Sequence, residues 1–247
     1  MAFNLSRAGI RRILLDIEGT TTPIAFVHDV LFSYAREKLP SYLQEHSADL
    51  SDELTKLRNE QAEDLRNGLH PPLIEAGQLE TIGGYALWLI DRDRKSTGLK
   101  SLQGKIWRQG YLDGTLKAQV FPDVPSALER WHRAGLKISI FSSGSVLAQQ
   151  LLFAHTEAGD LSKFLEGFFD TTTGPKIEAD SYRNIAQALQ LRAAEVLFIS
   201  DVDKELAAAT GAGMQTLLCV RPGNQPQENA AAYQTIQSFA AIENPER

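Results

Sequence analysis

Two carboxylates, Asp16 and Glu18, close the short apolar run Ile13-Leu14-Leu15 and are followed by Gly19, Thr20, Thr21 and Thr22. Apolar runs of this length ending in a turn signal read as buried parallel strands. Asp16 then falls at a strand's carboxyl end, where open α/β sheets bind their ligands. Two carboxylates held together there repel one another and lose hydration unless a cation or strong donors offset the loss. The pair suggests a divalent metal, with one carboxylate free to act as a nucleophile. The same residues also read as a strand running into an exposed acidic turn.

Three further places repeat the theme. Lys137–Phe141 runs into Ser142, Ser143 and Gly144, hydroxyls and amides that could receive an anion or simply cap the next helix. Lys176 follows Gly174-Pro175; fixed there, it could neutralise a phosphate or a carboxylate nucleophile, or lie solvated on the surface. Val196–Ser200 ends at Asp201, with Asp203 and Glu205 in the next turn. Asp201 is the candidate metal ligand, and Asp203 reads as a helix N-cap. An acid pair, serine, lysine and acid, each at a strand end, supply what phosphoryl transfer needs: an anionic nucleophile, an acid/base, donors for phosphate oxygens and a magnesium site.

The elements that must position these groups alternate. Apolar runs at 10–16, 136–141, 195–200 and 214–220 read as strands, and residues 123–134, 145–154, 178–190 and 203–211 carry helical spacing. That rhythm predicts a doubly wound parallel sheet. Residues 23–116 differ, having helical periodicity and no strand-like run. Ile24, Val27, Leu31, Tyr34, Ala35 and Leu39 form one stripe, which Pro40 could end or bend. Leu54, Leu57, Ala62 and Leu65 form a second, and Leu79, Ile82, Tyr85, Ala86 and Leu89 a third. We therefore expect an α/β core from 1–22 and 117–247, with 23–116 an inserted all-helical cap serving as a lid or as a plain second layer. Arg92, Arg94, Lys95, Lys100 and Lys105 read as a solvated basic face.

Composition sets the outer limits. A 43% hydrophobic, 23% charged chain of 247 residues is that of a globular protein. A net charge of −6 argues against nucleic acid or an acidic membrane as partner. Asp16 and Glu18 interrupt the first apolar run too early for a signal peptide, and no run has transmembrane length. The single cysteine, Cys219, excludes an internal disulfide and fits a reducing cytoplasm.

The order and types of these residues resemble the haloacid dehalogenase superfamily of phosphohydrolases. Within it, Asp16-Ile17-Glu18-Gly19-Thr20-Thr21-Thr22-Pro23-Ile24 resembles the enolase-phosphatase group. Val27-His28-Asp29-Val30-Leu31-Phe32, Phe141-Ser142-Ser143-Gly144-Ser145, Phe169-Asp170-Thr171-Thr172-Thr173-Gly174 and Ser200-Asp201-Val202 support the likeness, which extends to about Arg221. Glu18 departs from the superfamily's usual aspartate, as is typical of this group. Ser200 replaces the usual glycine, and the second acid of that motif falls on Glu205, which either orients water on the metal or holds Lys176.

The resemblance implies Asp16 as nucleophile and metal ligand, with Glu18 as acid/base and metal-site residue through its carbonyl or side chain. Ser142 and Ser143 would hold the phosphate, Lys176 would neutralise it, and Asp201 would complete a site for one Mg2+ per chain. It further implies a cytoplasmic monomer that enolises and then dephosphorylates a small phosphorylated diketone of methionine salvage, giving an acireductone. Phe26, Tyr85 and Trp88 could touch the methylthio tail or fill the cap's core. A general sugar-phosphate phosphatase and a non-catalytic phosphate- or metal-binding module are the competing readings.

Overall fold

The computed structural model describes residues 3–92 and 94–243. In chain order the strands are β1 (Phe3–Asn4), β2 (Arg12–Leu15), β3 (Lys137–Phe141), β4 (Phe168–Phe169), β5 (Val196–Ser200), β6 (Gln215–Cys219), β7 (Thr235–Ile236) and β8 (Ile242–Glu243). The α-helices are α1 (Ser33–His46), α2 (Ser51–Arg66), α3 (Leu79–Ile90), α4 (Thr97–Leu112), α5 (Val124–Arg133), α6 (Val146–Ala154), α7 (Ala179–Ala188) and α8 (Asp203–Gly211). The chain forms two compact units, residues 1–27 with 117–247, and residues 28–116. The expected break after residue 22 thus falls after Val27.

In the first unit six strands form one parallel sheet in the order β4-β3-β2-β5-β6-β7. The four predicted strands all form. Every residue of β2 and β5 is buried, which is why they read as continuous apolar runs rather than alternating ones. From β2 the chain builds outward through β3 and β4, then returns to add β5, β6 and β7 on the other side. The ends of β2 and β5 therefore flank the point where the winding reverses, the usual location of ligands in such sheets. Pairing is in register: Leu15 lies opposite Ile140 on one side and Ile199 on the other. Tyr182, Phe141 and Phe198 meet edge to face beneath it, with ring centroids 5.5 and 5.0 Å apart; each fully buried side chain of this kind contributes about 1.5–3 kcal/mol. Cys219 is a buried core residue whose thiol is pushed up to about 12 by burial.

Every regular element among the described residues of the second unit is helical, with a loop over 67–78 between α2 and α3. A π-helical stretch, Phe26–Phe32, leads into α1. Pro40 neither ends nor interrupts that helix. It lies on the exposed side, while Ala35, Leu39 and Leu43 continue the buried face past it, so packing offsets the lost backbone hydrogen bond. In α2 the inward residues are Leu54, Leu57, Gln61 and Asp64, whereas Ala62 and Leu65 are exposed. The second stripe was therefore misplaced, because its true continuation is polar. Gln61 Nε2 donates to the Pro72 carbonyl at 3.1 Å. Asp64 accepts from Tyr85 Oη and from an Arg94 nitrogen, both at 2.8 Å, and Glu53 from Ser101 Oγ at 2.6 Å and Lys105 Nζ at 2.9 Å.

Arg94 and Lys105 are thus partners of buried acids rather than members of a solvated face. Arg92 lies 4.3 Å over the Trp88 ring. Tyr85, fully buried and hydrogen-bonded to Asp64, is core in its unit, and Phe26 is core in the first. No helix among the described residues is long and apolar enough to cross a membrane.

Candidate active site

Asp16 follows β2 by one residue, and its backbone N–H still reaches the Ile199 carbonyl at 3.0 Å, which continues the sheet pairing into the site. The turn beyond it is tight: the amides of Thr20, Thr21 and Thr22 all converge on the Ile17 carbonyl, and Gly19 N–H donates to Thr22 O at 2.8 Å. Gly19 adopts φ +73°, and a Cβ there would fall 2.2 Å from Asp201 Oδ2. Only glycine lets the turn after Glu18 press against the Asp201 carboxylate. Glu18 itself is half-buried in that turn.

Lys176 is the hub of the site. Its ammonium contacts Asp16 Oδ1 at 2.5 Å and Glu205 Oε2 at 2.7 Å, with all three side chains buried. It also lies 5.8 Å from the centroid of the Phe141 ring. The surface-lysine alternative is excluded, and of the two roles open to Glu205, holding Lys176 is the one found. Ser200, in place of a glycine, donates to Glu205 Oε2 at 2.8 Å and so orients it. The loop that delivers Lys176 is fixed by its own backbone: Tyr182 Oη donates to the Lys176 carbonyl at 2.7 Å and Ser181 Oγ to that of Pro175 at 2.6 Å. Gly174, at φ +138°, lies where a side chain would strike Ser181 Oγ.

The electrostatics follow from this packing. Burial works against the Lys176 charge, but Asp16 and Glu205 outweigh it and raise its proton affinity. Burial pushes the Glu205 carboxyl up despite Lys176. Asp201 is pushed up to about 7 by burial, with the charges of Asp16 and Glu205 adding to the effect. Three buried carboxylates thus share one ammonium, an excess of negative charge that a divalent cation would offset.

Among the described residues no three His, Cys, Asp or Glu side chains form a metal cage. A cation here would be held by one or two carboxylates together with backbone carbonyls and water, the hard-oxygen coordination that suits magnesium rather than zinc.

Ser142 and Ser143 follow β3, beside the end of β2. Ser142 is half-buried and accepts from Gly144 N–H at 3.3 Å, while Ser143 is exposed. The cap of α6 is Ser145, which accepts from Ala148 N–H, so neither serine is spent on that helix. Asp203 is not an N-cap either. Val202 holds that position, and the Asp203 carboxylate accepts from the backbone and side chain of Asn229 at 2.9 and 3.1 Å.

Two contributors escaped the sequence reading as site residues. Asp170, within the Phe169–Gly174 motif, accepts from Val146 N–H at 3.3 Å and from Thr172, tying the start of α6 to the loop leading to Lys176. Asn224 donates to the Gly19 carbonyl at 2.9 Å; it sits in a Pro-Gly-Asn sequence whose only local signal is a turn.

This α/β fold, with an acid, a serine and a second acid at adjoining strand ends and a lysine brought in by the loop after β4, coincides with a family match. Residues 10–213 match the haloacid dehalogenase-like hydrolases, and the chain belongs to that family. It is 53% identical over 232 residues to enolase-phosphatase E1 of Synechococcus elongatus, covering 93% of this chain and 96% of the relative. It is 49% identical over 213 residues to the protein of the same name from Sorangium cellulosum, covering 86% and 89%. The membership thereby narrows to the enolase-phosphatases within the family. Among solved structures, UTR4 from Saccharomyces cerevisiae superposes with a TM-score of 0.77 at 36% identity, over 93% of this chain and 98% of that one.

Proposed function

We propose that this hydrolase converts 2,3-diketo-5-methylthiopentyl 1-phosphate, in two magnesium-dependent steps, to the acireductone 1,2-dihydroxy-3-keto-5-methylthiopentene and phosphate. The observation that carries the reading is the buried Asp16–Lys176–Glu205 group beside Asp201, at the point where the sheet's winding reverses. Relatives named enolase-phosphatase E1 support the substrate assignment.

Asp16 attacks phosphorus in line, an aspartyl phosphate forms, and the bond from phosphorus to the enol oxygen breaks. Glu18 gives a proton to that oxygen, then takes one from the water that cleaves the aspartyl phosphate. Lys176, held by Glu205, keeps Asp16 aimed and neutralises the incoming phosphate, and Ser142 and Ser143 donate to its oxygens. Asp16, Asp201 and Glu18, the last through its carbonyl or its side chain, would hold a magnesium ion, which would supply charge screening between carboxylate and phosphate and polarisation of the substrate carbonyl. The inserted helical unit provides selectivity for the diketone.

The enzyme works as a cytoplasmic monomer. The buried, unpaired Cys219 supports the compartment, and sedimentation velocity tests the oligomeric state. The deciding experiment incubates purified protein with the diketo phosphate, with and without magnesium, and follows acireductone and phosphate together. Magnesium-dependent appearance of both is expected. Phosphate release confined to simple sugar phosphates would refute the substrate assignment.

A further inference from the structure

Asn224 lies in the loop after β6, and its side-chain amide bridges two parts of the chain far apart in sequence. Nδ2 donates to the Gly19 carbonyl at 2.9 Å and to the Cys219 carbonyl at 3.2 Å. Oδ1 is sealed from solvent with no hydrogen-bond partner. A Cβ on Gly19 would fall 2.2 Å from Asp201 Oδ2 and 3.1 Å from Asn224 Oδ1, so Gly19 is clamped between the two side chains. The next carbonyl of the same turn, Thr20 O, accepts from Arg221 Nε at 3.2 Å. Arg221 is anchored by Asp123 at 2.8 and 3.0 Å and lies 4.7 Å from each of the Phe121 and Phe239 rings. One loop therefore holds two successive carbonyls of the turn that follows Glu18.

The bond to Cys219 would suffice to shape the loop. The bond to Gly19 ties that loop to the turn after Glu18, and the amide is buried there although its unpaired oxygen costs about 1–3 kcal/mol. A glycine at positive φ has wide backbone freedom, and without this clamp the turn could rotate away from Asp201. We propose that Asn224 is a positioning residue: its amide fixes the Gly19 carbonyl and thereby the turn that follows Glu18 and presses against the Asp201 carboxylate. This rests on the phosphatase reading above.

The test compares wild type with Asn224→Ala and with Asn224→Asp, which keeps the shape but replaces the donor by an oxygen. Three quantities are measured: magnesium affinity by calorimetry without substrate, the unfolding midpoint in EDTA, and kcat and KM for phosphate release. Misplacing a reacting group by about 1 Å lowers turnover roughly a hundredfold. We expect kcat to fall ten- to a hundredfold in both variants (on the order of that loss), with KM little changed, magnesium affinity weakened, and Asn224→Asp no better than Asn224→Ala. Should Asn224→Ala fail to fold, Asn224→Ser carries the same comparison.

Unchanged kcat and magnesium affinity in the folded variants, even with a lowered midpoint, would reduce Asn224 to a loop former. A wild type that binds magnesium but releases no phosphate refutes the phosphatase reading alone, and the calorimetric comparison then decides on Asn224. A wild type that does neither overturns both.

Discussion

The two units bury charge in opposite ways. In the helical unit each buried acid among the described residues is matched: Asp64 by Tyr85 and Arg94, Glu53 by Ser101 and Lys105. These pairs stitch α2 to the segments beside it, and the half-buried Glu60 shares Arg94 at 4.0 Å. In the α/β unit Asp16 and Glu205 hold one lysine while the charge of Asp201 acts on the same group, and Asp201 has a proton affinity far above an ordinary carboxyl. A matched buried pair is structural. An unmatched cluster at a strand end stores an electrostatic demand that a metal ion and a phosphate can satisfy.

The sharpest way to break this contrast is Asp16→Asn. It keeps the side chain's size and removes the nucleophile, so phosphate release should fall by roughly a thousandfold or more. If the enolisation step survives, enol absorbance rises while phosphate does not appear. Wild-type phosphate release would end the assignment of Asp16.

Lys176→Met comes next. Because Lys176 sits between two buried carboxylates, removing it leaves both uncompensated. We expect turnover to fall about a hundred- to a thousandfold and stability by about 3–5 kcal/mol. Denaturant unfolding showing no loss would mean that the carboxylates rehydrate in its absence.

Tyr85→Phe probes the matched side. It should cost about 1–3 kcal/mol, as for a buried hydrogen bond to a charged acceptor. Turnover of a small aryl phosphate should stay within about twofold, since no group in the reaction is altered. A large drop in turnover with intact stability would make this network part of the chemistry.

The smallest effect concerns pH. Asp201, at about 7 in the folded chain, binds its proton more tightly than an ordinary carboxyl does when unfolded. Between pH about 4 and 7 the folded state therefore holds the extra proton, and stability falls as pH rises. The unfolding midpoint in EDTA should drop by a few degrees across this range, and magnesium at neutral pH should restore it. A midpoint that rises with pH in EDTA would contradict the crowding of carboxylates.

The sheet was legible because parallel strands buried on both faces, such as Leu14 and Phe198, leave unbroken apolar runs. The positions of Asp16, Ser142 and Asp201 were legible because strand ends are marked by abrupt changes of residue type, and that of Lys176 because a Gly-Pro turn precedes it. What escaped has physical reasons. Gln61 and Asp64 are buried polar residues, so their stripe looks like a surface. Pro40 is tolerated because it faces solvent in a helix held by its other side. Arg94 and Lys105 look solvated until their acids, 30 and 52 positions earlier, are folded against them. Asn224 meets its partner across 205 positions, a separation at which local pattern carries no information.

The strand that leads into Asp16 is made before every other strand of its sheet, yet it lies inside that sheet between β3 and β5. During synthesis it waits unpaired until residue 137 and then residue 196 have left the ribosome. The helices of residues 28–116 need only their own segment and can form meanwhile, as locally connected elements do. Assembly thus runs from the middle outward. The order of synthesis leaves the exposed edge of Ile13-Leu14-Leu15 as the segment most in need of protection in a nascent chain.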